Sequence, residues 1–284
     1  MSRVAYVAGQ YLPHRQAAVH IEDRGYQFGD GVYEVIAVNC GHLVDEERHL
    51  VRLHRSLTEL RINRPMSEGA LKIVLREVIR RNGVDTGIVY LQVTRGIAPR
   101  EHAFPKAAKP VLVVTSRRSR PPDPRLGRDG IAVITIPDIR WQRCDIKSVA
   151  LVANVLGKQQ AREARAYEAW QVDNDGQVTE GTSTNAWIVT ADDSVITRAA
   201  DHAILNGITR AAIFDIIHRE GYRLVERPFS VEEARGAREA FLTSTTADLL
   251  PVVRIDGAPV ADGKPGPLSR KLREAYFDHA TAAA

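Results

Sequence analysis

Lys147 stands in IRWQRCDIKSVALVAN, residues 139–154, where a run that reads as extended gives way to a segment that reads as helix. Most lysines are solvated surface charges, and spacing alone does not set this one apart. Its company does. Glu180 lies in VTEGTSTN, a GITR turn occupies residues 207–210, and a TSTT run occupies residues 243–246. These are the parts that an aldehyde-bearing pyridine cofactor with a phosphate requires. A lysine amine condenses with the aldehyde, provided that burial or a nearby cation keeps it partly neutral. A carboxylate against the pyridine nitrogen keeps the ring protonated, so that the ring takes up the electrons left when a substrate C–H bond breaks. Backbone amides at a helix start hold the phosphate. Lys147 is the candidate for the first part and Glu180 for the second. Gly207, Ile208 and Thr209 are candidates for the third, with Ser244 and Thr245 adding a hydroxyl or an amide at a strand end. Taken singly, Glu180 reads equally as a turn acid, Thr209 as an ordinary helix-start residue and TSTT as a polar strand end.

A second pairing lies in the loop IAPREHAFP, where Arg100 and His102 alternate. Residues i and i+2 of an extended segment point the same way, and a cation beside an imidazole suits a carboxylate. Spacing alone favours a solvated surface loop here. The two cysteines, Cys40 and Cys144, are far apart and lack the spacing of a metal site or a disulfide framework, so no metal is expected. Cys144 reads as a buried, inert thiol.

Local patterns outline the elements that must position these groups. Residues 3–9 and 17–21 read as short strands. EDRGYQFGDG reads as turns, because of glycines 25, 29 and 31, and a strand follows from about Val32 to Val38. Leu50, Leu53, Leu57 and Leu60 make one face of a helix over residues 46–61, with Arg52, Arg55 and Arg61 off that stripe as surface charges. A Ser67 cap opens a second amphipathic helix over residues 68–81. Strands are expected over residues 87–96 and 109–116. The segment 117–125, rich in arginine and proline, reads as a linker. Beyond it, a strand, a long helix over residues 149–166 and several strands with tight turns precede a helix over residues 209–220 closed by Gly221. Ser230 and Glu233 form a capping box, and a helix ends the chain.

The whole sequence sets limits. Its 284 residues are 44% hydrophobic and 26% charged, as in an ordinary globular protein large enough for one or two cores. No apolar run reaches the ~20 residues that a membrane helix needs. The N-terminus lacks the apolar stretch of a secretory signal, so no membrane partner and a cytoplasmic location are expected. A net charge of +4 does not call for nucleic acid. It suits anionic substrates and a phosphorylated cofactor.

From about residue 6 to residue 274 the sequence resembles the fold-type IV pyridoxal-phosphate transaminases, and among them the D-amino acid transaminases. The strings that carry the likeness are DRGYQFGDGVYEV, VTRG-APR-H-FP, IRW-RCDIKS, VTEG-S-N, GITR, FLTSTT and a closing IDG…DGK-G. The resemblance implies an α+β, two-domain fold: a small N-terminal α/β domain (1–117), a linker (118–127), and a larger cofactor-binding domain with a barrel-like sheet (128–284). It implies pyridoxal 5'-phosphate as cofactor. Lys147 holds it and shuttles the α-proton, and Glu180 meets the pyridine nitrogen. Arg52, Ile208, Thr209, Ser244 and Thr245 surround the phosphate, which takes Arg52 off the surface. It implies a substrate-carboxylate trap of Tyr33, Arg100 and His102, with the Arg-x-His loop coming from a neighbouring subunit, hence a homodimer whose active sites are completed across the interface. Branched-chain L-transaminases lack this pair and carry a tyrosine five residues after the lysine, where Val152 stands here. The implied reaction moves an amino group from a D-amino acid, D-alanine or D-glutamate, to a 2-oxo acid by a ping-pong cycle. The alternatives within the fold are a branched-chain L-transaminase and an aminodeoxychorismate lyase.

Overall fold

A computed structural model describes residues 3–119 and 123–282. The chain falls into two compact units. The first comprises the described residues up to 119, together with 146–150 and 280–282. It begins with β1 (Val4–Val7), β2 (Gln10–Pro13), α1 (Arg24–Phe28), β3 (Gly31–Asn39) and β4 (His42–Leu43). It continues with α2 (Glu46–Glu59), α3 (Glu68–Asn82), β5 (Gly87–Thr94) and β6 (Val111–Arg118). Its described strands pair antiparallel in the order β2-β1-β6-β5-β3-β4. One sheet face takes the leucine stripe of α2 (Leu50, Leu53, Leu57) and the apolar stripe of α3 (Leu71, Val74, Leu75, Val78), which form a core with Ile36, Val89 and Leu91. That burial is the main reason both amphipathic helices are stable.

Two local expectations fail in this unit. Residues 17–21 form no strand, since Val19 and Ile21 point into solvent with nothing to pair against. Residues 24–28 form a helical turn where glycines suggested only turns. Asp23 caps it by accepting the Gly25 N–H, and Gly29 ends it at φ +68°, a conformation that glycine adopts without strain.

The second unit holds residues 123–145 and 151–279 of the described chain. Of the segment 118–127, residues 120–122 lie outside the described residues, and Pro124–Asp129 is a short helix, α4, capped by Asp123. Then come β7 (Ile131–Pro137), α5 (Val152–Glu163), β8 (Glu168–Val172), β9 (Val178–Gly181), β10 (Asn185–Val189) and β11 (Val195–Thr197). They are followed by α6 (Ile208–Arg219), β12 (Leu224–Glu226), α7 (Val231–Arg235), β13 (Glu239–Ser244), β14 (Asp248–Ile255), β15 (Ala258–Pro259) and α8 (Pro267–Ala282). The described strands form one sheet in the order β12-β11-β10-β13-β14-β7-β8-β9, with β15 on β14. The sheet curls, and its last strand, β9, is joined to β10 by the three residues 182–184. The strands carry unbroken buried runs, such as NAWIV in β10, because both faces are covered. Ser230 caps α7 as expected, accepting the Glu233 N–H at 3.1 Å.

Among the described residues, no helix is long and apolar enough to cross a membrane, and no group of acidic, histidine or cysteine side chains is arranged to hold a metal ion.

Candidate active site

In the first unit, residues 146–150 lie along the start of β3. The Tyr33 N–H donates to the Lys147 carbonyl at 3.0 Å, and the Val149 N–H donates to the Gly31 carbonyl at 3.0 Å. The Lys147 N–H donates to the Ser56 hydroxyl of α2 at 3.3 Å, and Ser56 is fully buried. The backbone of the lysine is thus fixed by a strand on one side and a helix on the other. Its ammonium sits 4.3 Å from the centroid of the Tyr33 ring, with no hydrogen-bond or ion-pair partner among the described residues. Tyr33 stacks on Tyr90, whose phenol burial pushes up to about 12.

Arg52, which its position in the helix pattern places at the surface, is buried on α2. Its guanidinium forks onto Glu34 of β3, with Nε at 2.8 Å from Oε1 and Nη2 at 2.7 Å from Oε2. His49 adds Nδ1 to Glu34 Oε2 at 2.8 Å. Burial alone would raise the Glu34 carboxyl, but the Arg52 cation and the His49 hydrogen bond outweigh it and bring it down to about 2. Burial holds His49 below the ordinary histidine range. The neutral ring donates its Nδ1–H to the carboxylate. Sequence reasoning missed Glu34 and His49, because the pairing joins residues 18 and 15 apart on different elements.

Arg100 and His102 share an exposed loop of this unit, and both flank one aromatic ring. The Arg100 guanidinium carbon is 4.8 Å from the Phe28 centroid, and the His102 ring is 5.4 Å from it. The pair that spacing alone left as a solvated loop therefore stands on a common platform.

The second unit builds the other group. Glu180, the third residue of β9, is buried. Its Oε1 accepts from Arg140 Nη1 at 2.5 Å, and its Oε2 accepts from Asn185 Nδ2 at 3.0 Å and from the Leu205 N–H at 3.1 Å. Arg140 also forks onto Asp138, with Nε at 2.9 Å from Oδ1 and Nη2 at 2.7 Å from Oδ2. Burial works against the Arg140 charge, but Asp138 and Glu180 together raise its pKa above the ordinary arginine value. A cation that cannot leave keeps Glu180 an acceptor. Arg140 and Asn185 went unread in the sequence; Arg140 lies 40 positions from its carboxylate. The i, i+2 spacing of Asp138 and Arg140 was the one local signal.

Asn185 also donates to the Leu205 carbonyl at 2.9 Å, which ties Glu180 to the segment entering α6. A Cβ on Gly207 would lie 2.2 Å from Asn185 Oδ1, so position 207 accepts only glycine without displacing that amide. Gly207 caps α6 with no side-chain hydrogen bond. The N–H groups of Ile208 and Thr209 stand in the first helical turn, where none has an intrahelical acceptor. The Thr209 hydroxyl lies 3.3 Å from the Tyr276 hydroxyl, which leaves the threonine its main-chain amide to offer. Thr245 is at the tip of the β13–β14 hairpin, and Ser244 Oγ accepts the Ala247 N–H at 3.1 Å, closing that tip.

The turn between Glu180 and Asn185 is itself held from below. Glu168, wholly buried on β8, accepts hydrogen bonds from Thr182 Oγ1 (2.5 Å), Ser183 Oγ (3.2 Å) and Thr184 Oγ1 (3.4 Å). Three consecutive hydroxyls on one carboxylate leave the turn a single shape. Cys144 is half-buried, donates to the Trp141 carbonyl at 3.1 Å, and is pushed up to about 12 by burial. It is a thiol at neutral pH and a poor nucleophile.

These donor sets fit a phosphorylated pyridine aldehyde. Lys147 offers an amine not already spent on a carboxylate, Glu180 offers a carboxylate oriented by Arg140, Asn185 and the Leu205 N–H, and the α6 start offers two amides beside a glycine.

The family model for amino-transferase class IV matches residues 31–255. The chain is 42% identical over 267 residues to a D-alanine aminotransferase of Bacillus licheniformis, covering 94% of this chain and 93% of that one. It is 40% identical over 272 residues to a D-alanine aminotransferase of Staphylococcus haemolyticus, covering 95% of each. Among solved structures, the branched-chain amino acid aminotransferase of Escherichia coli superposes with a TM-score of 0.91 at 23% identity, over 100% of this chain and 96% of that one. The branched-chain enzyme of T.th. with pyridoxamine 5'-phosphate gives a TM-score of 0.90 at 24% identity, over 100% of this chain and 96% of that one. At these identities the two structures speak for the fold alone.

Proposed function

The chain belongs to the class IV aminotransferases, and from that premise we propose that it transfers the amino group of a D-amino acid, D-alanine or D-glutamate, to a 2-oxo acid in a ping-pong cycle. Its cofactor is pyridoxal 5'-phosphate. When bound, that group supplies an electron-accepting ring that stabilises the charge left at the substrate Cα when its C–H bond breaks. The protein supplies the rest. Lys147 would anchor the cofactor and, once displaced by the substrate amine, would serve as the general base that takes the Cα proton and the general acid that gives it back. Glu180, held as an anion by Arg140, Asn185 and the Leu205 amide, keeps the ring nitrogen protonated. The amides of Ile208 and Thr209, the Thr245 tip closed by Ser244, and the Arg52 cation hold the phosphate.

Tyr33, Arg100 and His102 hold the substrate α-carboxylate. The side on which it is held decides which enantiomer presents its Cα–H to Lys147. The observation that carries the D-amino acid reading is the Arg100–His102 pair, set together on Phe28. The sequence likeness to D-alanine aminotransferases runs the same way. In this reading the loop of each subunit completes the site of its partner in a homodimer, and the protein works in the cytoplasm.

The test is the visible spectrum of the purified protein before and after D-alanine, with L-leucine in parallel. A yellow band bleached by D-alanine and unchanged by L-leucine is expected, and Lys147→Ala should abolish turnover. Bleaching by L-leucine alone would move the chain to the branched-chain class. Full turnover in the lysine variant would end the mechanism.

A further inference from the structure

The loop of residues 95–110 between β5 and β6 contains no helix or strand, yet it carries two of the three groups assigned to the substrate carboxylate. A binding pair on an unsupported loop would lose its geometry to chain entropy. Here the support comes from α1. Arg24 is 3% exposed although charged. Its Nη1 donates to the Glu101 carbonyl at 2.5 Å and to the Ala103 carbonyl at 3.4 Å, and its Nη2 donates to the His102 carbonyl at 3.3 Å. Three successive carbonyls of the loop thus converge on one guanidinium. Its Nε is spent on Asp30 at 2.8 Å, which neutralises the buried cation. Asp30 is shared with Arg95, at 2.7 and 3.0 Å, and its carboxyl stays below the ordinary range; burial works against this, but the two arginines prevail. Phe28, four residues along α1, is the second support. The Arg24 and Arg100 guanidinium carbons each lie 4.8 Å from its centroid, and the His102 ring packs on it at 5.4 Å.

We propose that Arg24 and Phe28 are positioning residues for the substrate-carboxylate pair. Arg24 fixes the backbone on either side of His102, and Phe28 fixes how Arg100 and His102 are set relative to each other. The specificity of the enzyme for a carboxylate-bearing substrate then depends on α1 through the loop it holds. Only a planar, multi-donor cation spans three carbonyls; a lysine ammonium at the same place has one point of attachment. The proposal rests on the reading that Arg100 and His102 hold the substrate carboxylate, and the experiment separates the two.

Arg24→Lys, Phe28→Leu, Arg100→Ala and the double variant Phe28→Leu/Arg100→Ala are compared by steady-state kinetics with D-alanine and 2-oxoglutarate. Calorimetry gives the dissociation constant of 2-oxoglutarate, and the visible band gives cofactor content. Phe28→Leu keeps the Arg24–Asp30 ion pair, so it stands in if Arg24→Lys folds poorly. The expected result is a KM and a dissociation constant raised about tenfold in each single variant, with kcat and cofactor content near the wild-type values. The double variant should fall well short of the product of the two single effects, because much of what Phe28 does is done through the Arg100 it carries. If Arg100→Ala raises KM while Phe28→Leu and Arg24→Lys do not, or if the double variant shows the product of the single effects, the positioning role is overturned. If Arg100→Ala itself leaves KM unchanged, the reading of the carboxylate pair fails, and this proposal fails with it.

Discussion

Arg140 shows how a buried charge is given a function. Its side chain is 6% exposed and lies against two carboxylates, Asp138 and Glu180. Removing one partner from a buried ionic group costs far more than the group contributes when whole, because the remaining charges lose both water and partner. Arg140→Leu should therefore lower stability by about 3 kcal/mol at neutral pH, and the loss should shrink as pH falls and the two stranded carboxyls take up protons. The same change should let Glu180 become neutral, so that it no longer holds the ring nitrogen protonated. Turnover should then fall by at least about tenfold while cofactor remains bound. Thermal melts at pH 5 and pH 8, with absorbance spectra of the loaded variant, check both parts; a variant as stable and as active as the wild type would show that Glu180 needs no counter-cation. At this scale the sequence was half-legible. Lys147, Glu180, Arg100 and His102 were readable as types in suggestive company. Their partners Arg140, Asn185 and Arg24 were not, because each is brought in from another element over 5 to 78 positions.

The β13–β14 hairpin carries Ser244 and Thr245 at its tip, and Asp248 pairs with Ser244 across it, at φ +55°. Burial pushes the Asp248 carboxyl up to about 6, only partly countered by Arg273. Folded, the group binds its proton more tightly than the unfolded chain does. Stability therefore rises as pH falls through about 6 towards the ordinary aspartate range, and above pH 6 the hairpin carries an ionised group that burial disfavours. Asp248→Asn keeps the shape and removes that charge. It should stabilise the protein by about 2 kcal/mol at pH 8 and by almost nothing near pH 4. Melting temperatures of the two proteins across that range decide it; an asparagine variant that gains equally at both ends would point to packing instead of charge. Elements with a strong period, such as α2, α3 and β5, were legible, since one-sided burial writes itself into the spacing of apolar residues. The helical turn α1 was not: five residues give too little periodicity, and its glycines pointed to turns. Residues 17–21 misled in the opposite way, because Val19 and Ile21 alternate like a strand but have no neighbour to pair with. The element that mattered most to the carboxylate pair was thus the least visible in the sequence.

For the molecule as a whole, the net charge of +4 favours approach of anionic substrates such as a 2-oxo acid. The larger consequence is how the catalytic residues are divided between chains. If the loop carrying Arg100 and His102 serves the partner subunit, one intact site needs Lys147 from one chain and the loop from the other. Two-fold symmetry then makes the defects of different chains separable. Lys147→Ala has no base in any site, and Arg100→Ala has a weakened trap in every site. When the two variants exchange subunits, half of the dimers are mixed. In each mixed dimer one site takes its lysine from the Arg100→Ala chain and its loop from the Lys147→Ala chain, and is wild type in both respects, while the other site carries both defects. Activity with D-alanine at low concentration should rise on mixing to about a quarter of the wild-type value per total protein, the share expected for random pairing in a two-fold dimer. If the loop serves its own chain, no mixed site is ever complete and mixing restores nothing. The same exchange performed with Arg24→Lys in place of Arg100→Ala extends the argument to α1. The supporting helix travels with the loop it holds, so it too should be complemented by a partner that lacks only the lysine.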